Sequence, residues 1–161
     1  MATVSYASTL EKKVRKYVKK FGIKYAFAAK EFAYLPTINA VTFTVLRYDT
    51  DWQLVHHVKE NYGVDIAPWL FVFSLLHEIG HHKTLWEISD KEYAEDQLWR
   101  KLFGIIGSPE VNYAYFHLPT EKRATEWAIN YIENHEQECW DFQKRCIKDI
   151  IHICKKKSFH P

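Results

Sequence analysis

Glycine and proline are scarce in this 161-residue chain, five of each, which argues against a loop-dominated or all-β fold. Net charge is nearly absent: +2 gives no general electrostatic case for binding nucleic acid. No apolar run approaches the roughly 18 residues of a membrane span. The nearest, APWLFVFSLL, leads straight into charge. The first twenty residues contain no apolar segment of the secretory type, so none is expected to be cleaved. Cysteine is limited to Cys139, Cys146 and Cys154, an odd number with no CxxC spacing. On a helix, neighbours among them lie about 10 Å apart along the axis, too far for a disulfide. Reduced thiols and a cytoplasmic location are therefore expected. P-loop, GxSxG and paired zinc-finger spacings are also missing.

What remains is a chain that is 47% hydrophobic, enough for a substantial core. Leu10, Val14, Tyr17, Val18 and Phe21 recur at helical spacing, and Gly22 ends the run. Val41, Phe43 and Val45 alternate with threonines, the period of a strand, and residues 23–28 offer an antiparallel partner. Further helices are expected before Gly63, after Asp65 and Pro68, from Ser89 to near Gly104, from Ser108, from Pro119, and over 135–158. The chain reads as one α+β domain over 1–161, mainly helical, with a small antiparallel sheet packed on the helix after Pro68.

That helix ends in HEIGHH. His77 and His81 are four residues apart, so they stack on one face, and Glu78 sits beside them. This is HExxH, in which two imidazoles grip one zinc ion and the glutamate takes a proton from the water it activates. Trp69–Leu76 is apolar on nearly every side, so the helix should be buried, where imidazoles and a carboxylate need a partner such as a metal. The plain alternative is a helix that surfaces at residue 77 with all three side chains in water. Gly80 inside the motif is unfavourable for the helix and suggests close packing.

A third ligand has to come from another helix. LPTEKRATEWAIN carries Glu121 and Glu126, and Ala124 and Ala128 mark a face packed on a neighbour. Glu121 points toward the same crevice; Glu126 is the alternative, although a solvated face is the ordinary place for a lone glutamate. Hydrolysis of a peptide also needs a donor for the developing oxyanion. Tyr115 is the candidate catalytic donor, with Tyr113 and His117 open beside it. His82 lies about 100° round the helix, toward solvent or behind the ligands. His56 and His57 sit on an ordinary amphipathic helix. Residues 11–24 hold seven Lys/Arg against one acid, which reads as a solvated face or a basic docking patch.

HEIGHH followed downstream by EKRATEWA resembles the ImmA/IrrE-type zinc metallopeptidases, gluzincin-like proteins common in phages and mobile elements. The resemblance covers roughly residues 40–132. It implies a minimal zincin-like fold, Zn2+ held by His77, His81 and Glu121, and Glu78 as general base. It also implies limited cleavage of a protein or peptide substrate, such as a repressor; the short apolar runs and near-balanced charge separately predict no membrane and no direct nucleic-acid partner. Three departures stand out. Thr125 occupies the place of an Asn or Asp that orients a ligand histidine, Trp127 replaces Phe, and residues 83–112 read as an inserted helical segment. An edge strand at 40–46 would align the substrate by strand addition. A non-catalytic interaction protein with the same fold, and a DNA-associated factor using the basic first helix, are the competing expectations.

Overall fold

Helix α1 (Tyr6–Lys19) is amphipathic, as its spacing requires: Leu10, Val14, Tyr17 and Val18 are buried, with lysines opposite. The computed structural model describes residues 6–44, 48–106 and 115–158. Gly22, at φ +90, reverses the chain after α1, and its N–H bonds to the Lys19 carbonyl at 3.0 Å. Three short strands follow: β1 (Tyr25–Ala28), β2 (Ala33–Leu35) and β3 (Ala40–Phe43). Then come α2 (Tyr48–Tyr62), a 3-10 turn (Ala67–Trp69), α3 (Leu70–Thr84), a second 3-10 turn (Leu85–Glu87), α4 (Asp90–Ile106), α5 (Pro119–Asn134) and α6 (Glu136–Ser158). The helix expected from Ser108 lies outside the described residues.

The sheet is mixed, not antiparallel as the sequence predicts. β3 is central, and residues 25–28 pair with it in parallel, Tyr25 opposite Ala40 and Ala28 opposite Phe43. The antiparallel partner is β2, which was not anticipated. Residues 36–39 form the turn between β2 and β3, and Asn39 adopts the left-handed conformation (φ 50) that asparagine tolerates. That hairpin occupies one side of β3, so β1 reaches the other side running in the same direction. Nor is 40–46 an edge: Ala40–Phe43 is flanked on both sides, and Val45 and Leu46 lie outside the described residues. The edges are β1 and β2.

α3 runs through the centre. Val72, Phe73, Leu75, Leu76 and Ile79 are fully buried in the core, and α3 contacts α2, the sheet, α5 and α6. At about 1.5–3 kcal/mol for each large apolar side chain buried, this helix anchors the core. Its first turn has no cap of its own. Gln143 on α6 supplies one, its Oε1 accepting from Val72 N–H at 3.1 Å while its Nε2 donates to the Pro68 carbonyl. α6 packs on α1 through stacked Tyr17 and Phe142 rings, 3.9 Å between centroids. All three cysteines are free, Cys139 and Cys146 being buried in that seam. Among the described residues no helix is long and apolar enough to cross a membrane.

Candidate metal centre

α3 carries His77, Glu78 and His81 where it emerges from the core. The imidazoles stand one turn apart, ring centroids at 4.9 Å and nearly perpendicular. One ligand atom from each of His77, Glu78 and His81 lies within 4.8 Å of the others, a group able to hold a metal ion. α5 delivers a further oxygen. Glu121 Oε2 is 2.7 Å from His77 Nε2 and 3.1 Å from His81 Nε2. Glu121 is only 2% exposed and sits in the first turn of α5, where the helix dipole favours a carboxylate.

Close contact between α3 and α5 makes this convergence possible. Ala124, Thr125 and Ala128 are fully buried against α3, and a Cβ added at Gly80 would lie 2.5 Å from the Ala124 carbonyl oxygen. Only a glycine fits there. Thr125 uses the same contact: its hydroxyl is 3.1 Å from His77 Nδ1. A hydroxyl at Nδ1 fixes the ring so that Nε2 faces Glu121.

Behind the carboxylate stands a network with no counterpart in the sequence reading. Arg100 of α4 donates from Nη2 to Glu121 Oε1 (2.7 Å) and to the Thr120 hydroxyl (2.9 Å). Its Nη1 donates to the Tyr115 hydroxyl (3.0 Å) and its Nε to Asp96 Oδ2 (2.9 Å). The Thr120 hydroxyl donates in turn to the Asp96 carboxylate, 2.6 and 2.8 Å from its two oxygens. Asp96 and Arg100, four apart, look like an ordinary surface pair in sequence, and no local pattern marks them as anything else.

Burial alone would raise the Glu121 carboxyl, but the charge on His81 and hydrogen bonds from His77 and His81 hold it well below the usual carboxylate range. Glu78 goes the other way. Burial pushes it up to about 7; His77 and a backbone hydrogen bond from Tyr34 draw it down, while Glu121 adds to the rise. Burial and the Glu121 charge raise the Tyr115 phenol, keeping it neutral and able to donate.

This environment suits a cation. Asp96 and Glu121 are buried against a single arginine, and Glu78 adds a third carboxylate. Two imidazole nitrogens and a carboxylate oxygen meet there. Two nitrogens and an oxygen are a donor set that borderline divalent metals accept.

Other expected residues fall as follows. Tyr115 is in the site, bonded to Arg100; Tyr113 lies outside the described residues. His117 is exposed and packs edge-on against His57, centroids 5.1 Å apart. Glu126 is exposed, taking a hydrogen bond from Tyr62 at 3.4 Å and facing Lys122 at 3.9 Å, away from the imidazoles. His82 bonds through Nδ1 to the Tyr34 hydroxyl at 2.8 Å, tying α3 to edge strand β2. His57 is buried, stacked on Phe116, and burial lowers its pKa, with His117 and His77 adding to the effect.

No family model, curated protein or solved structure matches the chain.

Proposed function

We propose that the protein is a zinc-dependent endopeptidase of the ImmA/IrrE-like kind, acting in the cytoplasm on a peptide segment of a protein substrate, such as a regulatory protein. The observation that carries this reading is the meeting of His77, His81 and Glu121 at one point with Glu78 beside them. These three side chains would hold the ion. Zinc, when bound there, supplies the positive charge that acidifies water and polarises a carbonyl.

The remaining work belongs to the chain. Glu78 accepts the proton of the attacking water and passes it to the departing amine, a role suited to a carboxyl whose affinity for protons is raised toward neutrality. Tyr115, held by Arg100, donates a hydrogen bond to the developing oxyanion. The edge strand β2, tied to His82 of α3 by the Tyr34 hydroxyl, aligns the substrate as an added strand.

One observation favours a second reading, a binding module that holds its partner uncut. The Glu121 oxygen already lies within hydrogen-bond reach of both imidazoles, so the buried cluster is satisfied by its own members. Metal analysis combined with a Glu78→Gln variant separates the two. Stoichiometric zinc, with cleavage lost and zinc retained in the variant, supports the peptidase. Biological activity that is indifferent to Glu78→Gln supports the binding module.

A further inference from the structure

α4 is built inside out. Leu98 and Trp99 on it are 58% and 50% exposed, whereas Asp96 is 1% exposed. Helices normally dock by an apolar face; over the described side chains of α4, residues 90–102, the contact with α5 is made by charge. Besides the Asp96–Arg100 network, Glu92 receives both terminal nitrogens of Arg123 at 3.0 Å. A buried ionic contact is a poor source of stability compared with an apolar one of similar size. Its presence here calls for a role other than holding α4 in place, and the target of Arg100 supplies one.

We infer that Arg100 is a positioning residue of the metal centre, which makes α4 part of the site. This rests on the proposed ligand set. Arg100 takes Glu121 by Oε1, leaving Oε2 alone to face His77 and His81. A carboxylate with one oxygen committed to a guanidinium binds a cation through the other only. Chelation through both oxygens would be disfavoured, which would leave a coordination position for water. The same guanidinium holds the Tyr115 hydroxyl 3.0 Å away, so one side chain sets the third ligand and the candidate oxyanion donor relative to each other. Asp96 and Thr120 aim the fork: Asp96 fixes Nε, and Thr120 shares Nη2 with Glu121. Lysine, a point charge without the planar fork, cannot make these four contacts together.

The test is zinc affinity of the metal-free full chain, by competition with a chromophoric chelator, together with the visible absorption of the cobalt(II)-substituted protein. Arg100→Met is expected to weaken zinc binding about 10–100-fold, the usual effect of losing an outer partner of a ligand. Its cobalt bands should weaken as the freed carboxylate adds a second oxygen and raises the coordination number. Arg100→Lys should recover little of either. Asp96→Asn, which keeps the arginine but loosens its aim, should move both readouts in the same direction by less, and stands in if Arg100→Met does not fold. Unchanged affinity and an unchanged cobalt spectrum in the folded variants would overturn the inference. Glu121→Gln is the control. If it binds zinc as tightly as the parent, the ligand set itself is wrong; if it loses zinc while the Arg100 variants do not, only the role of Arg100 fails.

Discussion

Gly80 and Ala124 touch so closely that a Cβ on Gly80 would fall 2.5 Å from the Ala124 carbonyl oxygen. The obstacle is backbone, so relief requires α5 to move away from α3, and Glu121 moves with it. In an open helix, Gly→Ala stabilises by up to about 1 kcal/mol. Here Gly80→Ala is expected to destabilise by about 1–3 kcal/mol, the cost of overpacking a core, and to weaken zinc binding. Thermal melts of the metal-free protein and chelator titrations check the two effects separately.

Thr125 is buried with its hydroxyl at His77 Nδ1. Thr125→Val keeps the shape and removes the hydrogen bond. Zinc affinity should fall about tenfold or more, as for other partners of ligand histidines. A titration that matches the parent would show that the contact does not orient the ring.

Glu78 belongs to the His77–Glu78–His81 group but is left out of the proposed ligand set. Glu78→Gln should retain zinc while lowering turnover by about 10²–10⁴, the range for loss of a general base. Retained cleavage of a substrate segment would remove Glu78 from that role.

His57 predicts a pH effect on stability. Burial lowers its pKa below the unfolded value of about 6.5, so between the two values the unfolded chain binds more protons. Its contribution to stability is complete above about 6.5 and is lost as the pH falls from there through the folded value. His57→Phe should flatten that part of the curve relative to the parent, measured by urea unfolding from pH 7.5 down to pH 5 in roughly half-unit steps.

Gln143 caps a helix across the fold. Gln143→Leu leaves Val72 N–H without its buried acceptor and should cost about 1–3 kcal/mol in denaturant unfolding. A loss within experimental error would mean that another acceptor takes over.

Much of this was legible in the sequence because a local period governs it. His77 and His81 share a face because a helix has 3.6 residues per turn. Gly80, Ala124 and Ala128 announced close packing because small residues at helical spacing do little else. Other features depended on pairings that no local pattern records. The direction of β1 follows from which side of β3 the hairpin fills. The Arg100 network was hidden because Asp96 and Arg100 are an i,i+4 charge pair, identical in sequence whether it faces solvent or a buried carboxylate. Reading 83–112 as an inserted segment gave no reason to connect it with Glu121.

The most direct measurement is X-ray absorption at the zinc edge of the zinc-loaded full chain, paired with the zinc content of His77→Ala, His81→Ala and Glu121→Gln. The account predicts one zinc per chain, two imidazole nitrogens and light oxygen ligands at about 2.0–2.2 Å, and loss of the ion in each variant. A chain that takes up no stoichiometric metal, or that keeps its metal when these side chains are removed, would contradict it.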